Sequence, residues 1–176
     1  ASGEGTDDST VFFWGLGMRT TLRGSTNVPV SLELGYMQGF GGLGLKLEMP
    51  FANTLENAAI NKAELTFYIL QNTTDMYAAP NEIVMLGENA ETGDELSIQK
   101  AFAVSPADNE TLAVYEYNLL INFYMQDKIS GASTFDFEKI FVEPQSLRGS
   151  RAIICGPEHP DYPMKLNVIY TNTTDE

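Results

Sequence analysis

Cysteine, histidine and basic side chains are scarce in this chain, and each scarcity closes off a chemistry. The single cysteine, Cys155, rules out an intrachain disulfide. One histidine, His159, beside one cysteine cannot build a zinc centre from the usual ligand set. A Ser-His-Asp or Cys-His pair would have to use His159, which sits in the turn-like Gly156-Pro157-Glu158-His159-Pro160 without supporting residues nearby. Lys and Arg number 10 against 24 Asp and Glu, a net charge of −14. So negative a surface repels phosphate backbones and anionic lipid, which argues against nucleic-acid partners. Long apolar runs are missing too: nothing approaches the roughly 18 residues a transmembrane helix needs.

What remains is enough for a packed domain. The 176 residues are 43% hydrophobic and 11% aromatic, which fits one domain with a real core. A chain of this size buries about 70% of the surface that its unfolded form exposes. Cys155, in Ala152-Ile153-Ile154-Cys155, reads as a small buried hydrophobe rather than a reactive thiol. Residues 1–10 are small, polar and acidic and read as a flexible segment, and Trp14 as core. Residues 11–171 read as a single domain and 172–176 as a frayed tail.

Period-two runs dominate. Val11–Trp14, Met18–Arg23, Val30–Gln38, Leu43–Met49 and Ala63–Ile69 are expected strands. Glu82–Leu86, Leu96–Val104, Phe135–Val142, Arg151–Cys155 and Met164–Tyr170 follow. Within Val30–Gln38 the alternation places Leu32, Leu34 and Tyr36 on the apolar face. Ala63, Leu65, Phe67 and Ile69 share another such face, against Glu64, Thr66 and Tyr68. Two short helices are expected. One covers Thr54–Ile60 with Thr54 as N-cap. The other covers Leu119–Ile129, ending at Ser130-Gly131, with Leu120, Phe123 and Tyr124 at helical spacing. Tyr115–Phe123 reads equally as a strand entering that second helix. The pattern predicts an all-β fold: an antiparallel, jelly-roll-like β-sandwich with one or two short helices.

Gly39-Phe40-Gly41-Gly42-Leu43-Gly44 matches the spacing G-x-G-x-x-G. A dinucleotide site needs those glycines to open a helix, whose free N–H groups meet pyrophosphate. Here they open Leu45-Lys46-Leu47-Glu48-Met49-Pro50, an alternating strand ended by proline. The glycines are therefore read as a tight connection between two strands.

Tyr36-Met37-Gln38-Gly39-Phe40-Gly41-Gly42, followed by Ile60-Asn61-Lys62-Ala63-Glu64-Leu65, resembles the core of a family of secreted Bacteroidetes surface lipoproteins with no assigned activity. Tyr117–Gln126, Arg151–Gly156 and Met164–Thr171 are similar to the later part of that family. The resemblance spans roughly residues 30–171. It implies a β-sandwich, export, a lipid anchor upstream of Ala1 and a longer full-length protein. It implies no reaction.

Tyrosines give the strongest binding signal, because amphipathic rings supply contact area at low entropic cost. Tyr68, Tyr115 and Tyr117 are the expected ligand-binding residues, with Tyr77, Tyr124 and Tyr162 as further candidates for a sugar-stacking or protein-contact platform. Glu88, Glu91 and Asp94 lie in the acidic loop Gly87–Glu95 and are the candidate calcium ligands, although the D-x-D-x-D-G spacing is absent. No other cofactor is expected. Glu33, Glu48 and Glu64 stand on outward strand faces, where a carboxylate pair for glycoside hydrolysis would have to form. Asn72, Asn109 and Asn172 head N-x-T triplets and mark surface segments. The expectation is a non-catalytic extracellular module for glycan binding, adhesion or assembly, its partner a glycan or a surface protein. The alternative is a carbohydrate-active hydrolase or its accessory domain.

Overall fold

The computed structural model describes residues 9–13, 17–22, 33–39, 43–49, 55, 57–72, 74–107, 112–131, 135–145 and 149–173. The readings of residues 1–8, Trp14, Phe40–Gly42, Thr54, Asn109 and 174–176 lie outside these. Among the described residues there are twelve strands and one helix. The strands are β1 (Ser9–Phe13), β2 (Gly17–Leu22), β3 (Leu34–Gln38), β4 (Leu43–Glu48), β5 (Ala58–Asn72) and β6 (Glu82–Asn89). Then come β7 (Glu95–Phe102), β8 (Val104–Ala107), β9 (Leu112–Leu120), helix α1 (Asn122–Ser130), β10 (Phe135–Pro144), β11 (Arg151–Cys155) and β12 (Lys165–Asn172).

The fold is an all-β sandwich of two antiparallel sheets. Its first sheet is organised by β5, whose 15 residues are enough to serve several neighbours. Residues 58–66 of β5 pair with β12, whose far edge takes β1. Residues 64–72 pair with β9, which continues to β8. Near its C-terminal end β5 also takes β11, through Ile153↔Leu70 and Ile154↔Ile69. In the second sheet β4 pairs with β2 and with β10, and β10 leads through β6 to β7.

The glycine stretch sits where the chain changes sheets. Among the described residues Gln38↔Leu43 is the one register pair joining β3 to β4. From there β3 runs along β11 while β4 runs along β2 and β10. A strand follows the glycines, so the dinucleotide motif fails on structure as it did on pattern. Gly44 is buried, and a Cβ there would stand 3.1 Å from Glu143 Oε1.

The core fills the space between the layers. β5 contributes Ala63, Leu65, Phe67 and Ile69, all sealed from solvent, as the alternation predicted. Leu45, Leu47, Ile83, Met85, Ile140 and Val142 answer from the second sheet. Phe67 and Tyr117 stack at 5.5 Å with 9° between their rings. Full burial of one such side chain stabilises by about 1.5–3 kcal/mol.

Several local expectations are corrected. β3 buries Gly35 and Met37 and exposes Tyr36, the reverse of the predicted face. Met37 supplies the apolar volume, and pairing with β11 (Met37↔Ala152) fixes which side turns inward. The expected helix over residues 54–60 is not formed in its second half. Asn57 is a turn residue with φ 59°, and Ala58–Ile60 already belong to β5. Ser9 and Thr10 belong to β1 and Asn172 to β12, so strand pairing reaches further at both ends than the polar composition suggested.

Helix α1 forms but starts later than the expected Leu119, which with Leu120 still belongs to β9, and it is closed by Gly131 in the left-handed region (φ 71°). Its orientation differs from the spacing argument. Tyr124 and Met125 are buried while Phe123 is 90% exposed. The reason is polar. β9 stops at Leu120, and the helix takes over the same edge of β5. Ala63 N donates to Asn122 Oδ1 at 2.7 Å, and Ile60 N donates to Gln126 Oε1 at 2.8 Å. Gln126 Nε2 returns a bond to Ala58 O at 3.2 Å. Two amides one helical turn apart thus stand in for a strand's backbone and satisfy an edge that would otherwise carry unpaired groups. Among the described residues no helix is long and apolar enough to cross a membrane.

Candidate functional site

The strand that builds the core also builds the candidate site, on its other face. Register places Glu64 opposite Leu120, Thr66 opposite Asn118, Tyr68 opposite Glu116 and Leu70 opposite Val114. β12 adds Lys165 opposite Thr66 and Asn167 opposite Glu64. Apart from the exposed Leu120 and Lys165, these side chains are half-buried. That is the exposure expected on a sheet face flanked by neighbouring strands but not capped by a second layer.

A continuous hydrogen-bond chain runs through this face. Thr66 Oγ1 donates to Asn118 Oδ1 at 2.7 Å, and Asn118 Nδ2 donates to Glu116 Oε1 at 2.8 Å. The Tyr68 hydroxyl also bonds Glu116. Burial, and then the Glu116 charge, raise the Tyr68 phenol above its usual range, so it stays a neutral donor. Asn118 and Tyr68 both bond the Glu116 carboxylate, and Thr66 reaches it through Asn118. Next to them Lys62 Nζ meets Glu64 Oε2 at 3.0 Å along the same strand.

The connection between β11 and β12 folds over one end of this face. Gly156 N donates to Glu33 O at 2.7 Å, and Met164 N donates to Gly156 O at 3.0 Å, closing residues 156–164 into an arch. Within it His159 Nδ1 accepts from Tyr162 N at 3.0 Å and from Asp161 N at 3.3 Å. The neutral imidazole therefore carries its proton on Nε2. This bracing holds Tyr162 against Tyr68, ring centres 5.6 Å apart and tilted by 51°. Cys155 is buried. Burial, then the Asp161 charge, push its thiol up to about 12. It is inert at neutral pH, as its apolar sequence context predicted.

Of the three tyrosines expected to bind, only Tyr68 lies on this face. Tyr115 stands opposite Ile69 and packs against the core. Tyr117 is wholly buried, stacked on Phe67, with its hydroxyl donating to the Pro80 carbonyl oxygen. Period two is the cause: odd-numbered residues of β9 turn inward and even-numbered ones outward. Tyr124 is also buried. Tyr77 is exposed, in the connection after β5. Glu116, Asn118 and Thr66 were missed, because single polar residues in strands carry no motif. The register that joins them spans 52 residues of sequence between Thr66 and Asn118.

The acidic loop has a structural role. Asn89 Oδ1 accepts from Glu91 N at 2.8 Å and Thr92 N at 3.0 Å, and Gly93 takes φ 73°, closing the β6–β7 turn on itself. Glu88 pairs with Glu95 across the ladder. Glu88, Glu91 and Asp94 are not gathered as calcium would require. Among the described residues no three His, Cys, Asp or Glu side chains form a metal-binding group. Glu33 and Glu64 belong to different parts of the first sheet, Glu33 in the bend before β3 and Glu64 in β5. Asn72 and Asn172 are exposed strand ends, and Asn72 Oδ1 accepts from Thr74 N at 3.0 Å in a turn. No protein-family model matches the chain, and no curated protein matches it.

Proposed function

We propose that the protein is a non-catalytic extracellular module of a bacterial surface lipoprotein and that it binds glycan on the outer face of its first sheet. The observation that carries this reading is the Tyr68–Tyr162 pair beside the Thr66–Asn118–Glu116 chain. Aromatic rings next to ordered polar groups suit a sugar, which offers one apolar face and a rim of hydroxyls. Two further observations support a binding rather than a catalytic role. Cys155 is buried with its thiol pushed up to about 12, and His159 Nδ1 is engaged by two backbone amides. The resemblance to secreted lipoproteins supports the outer-surface placement, with the membrane reached only through an upstream anchor.

A glycan-array screen of the purified protein, with surface labelling of intact cells that express it, tests the reading. Binding to at least one glycan class, and labelling from outside the cell, is the expected result. A blank array together with no external labelling overturns it.

A further inference from the structure

We infer that the ligand of this face is an uncharged glycan bound mainly through its hydroxyl donors, and that acidic and sulfated glycans are excluded. The inference rests on the glycan-binding reading and narrows it to a chemical class. Hydrogen-bond direction is the first ground. Thr66, Asn118 and Tyr68 pass their donors inward, along the chain that ends on the Glu116 carboxylate. A carboxylate offers about four acceptor positions, and a hydroxyl that donates its proton still offers lone pairs. The spare capacity of the chain is therefore mostly acceptor capacity, with the second Asn118 N–H as its one further donor. A ligand completes it by donating, as sugar hydroxyls do.

Charge is the second ground. Glu116 and Glu64 both lie on this face, opposite Tyr68 and Asn167 respectively in the pairing. Two cations share the face: Lys62 is paired with Glu64 at 3.0 Å, and Lys165, exposed opposite Thr66, stands across β5 from the strand that carries Glu116. A carboxylate or sulfate brought here meets like charge at short range, in a protein of net charge −14. A neutral sugar meets no such penalty. The aromatic pair supplies the remaining contact. Tyr68 and Tyr162 are both half-buried, with one side of each ring engaged by the other. They present a tilted surface rather than a flat stack, which suits one sugar ring seated at the end of the polar chain. Tyr162 comes from the arch that His159 braces, so His159 acts as a positioning residue.

The test presents the whole chain with neutral glucans and mannans in one arm, and with a polyuronate and a sulfated polysaccharide in the other. Binding is read by calorimetry at low and at high salt. Binding confined to the neutral arm, changing less than about twofold between the two salts, is expected, since salt screens only charge–charge terms. Tyr68→Ala and Tyr162→Ala each weaken it at least ~10-fold, as loss of an aromatic anchor does. Glu116→Gln, which keeps the shape, weakens it by roughly fivefold through loss of charge-assisted bonds. Lys100→Ala, whose side chain pairs with Glu82 in the second sheet, leaves it unchanged. Circular dichroism of each variant confirms the fold. Preferential binding of the polyuronate or the sulfated chain overturns the inference and leaves the glycan reading standing. Neutral binding that survives Tyr68→Ala and Tyr162→Ala overturns the location. Binding of neither arm overturns the inference and counts against the reading beneath it.

Discussion

β5 carries two different proteins on its two faces. Toward the second sheet it presents Leu65, Phe67 and Ile69, without solvent access and covered by another apolar layer. Away from it, Glu64, Thr66 and Tyr68 are half-buried and held by side-chain bonds to Lys62, Asn118 and Glu116. The backbone is common to both, so the difference lies in what each face meets. The inner face is held by exclusion of water and by packing, the outer by hydrogen bonds that still reach solvent. Stability belongs to the first, and the proposed recognition to the second.

Substitutions one residue apart separate the two. Phe67→Ala empties the core beneath Tyr117 and lowers unfolding free energy by about 3–5 kcal/mol. Tyr68→Ala, its immediate neighbour, changes stability by less than about 1 kcal/mol because one side of the ring is already wet. Urea denaturation of both variants measures the gap. Comparable losses would mean that the outer face is also a packed layer.

The edge of β5 offers a smaller contrast. Residues 64–72 are satisfied by the backbone of β9, while Ile60 and Ala63 depend on Gln126 and Asn122. Asn122→Ala leaves the buried Ala63 amide without its acceptor and is expected to cost about 1–3 kcal/mol. Hydrogen exchange sharpens the comparison: protection falls at Ile60–Ala63 and persists at Phe67–Leu70.

The weakest effect appears only in alkali. Burial lifts the Tyr117 and Tyr124 phenols above their usual range and lifts the Cys155 thiol from 9.0 to about 12. The fold prefers the protonated form of each group. Their contribution is complete below the unfolded values and is lost as pH rises through the folded ones. The urea midpoint is therefore flat with respect to these groups near neutrality and declines from about pH 9 upward. Cys155→Ala removes the thiol's share of that decline. A midpoint that falls between pH 7 and 8 would contradict the assignment.

Much of this arrangement was legible beforehand. Alternation in Ala63–Ile69 marked the inner face of β5 residue by residue, and proline after Met49 marked a strand where the glycines suggested a nucleotide. Gly131 marked the end of α1. Polarity misled at Tyr36, where an aromatic was read as inward and Met37 fills that role. Asn122 and Gln126 carry no motif, and their amides complete a sheet edge. Tyr115 and Tyr117 were grouped with Tyr68 because composition counts tyrosines without knowing which way each one turns.

The sequence by itself determined most of the strands, the all-β class, the inert cysteine and the lack of residues for a cysteine–histidine metal set. These follow from local periodicity and from residue counts, which need no knowledge of neighbours. Only the tertiary structure decided which residues share a face. Thr66, Asn118, Glu116 and Tyr162 come together through the register of β5 with β9 and through the arch over its end. Register is set by how the whole core closes, because a slip of one residue would turn every buried side chain of β5 outward. The candidate site is thus a consequence of packing on the opposite side of the same strand.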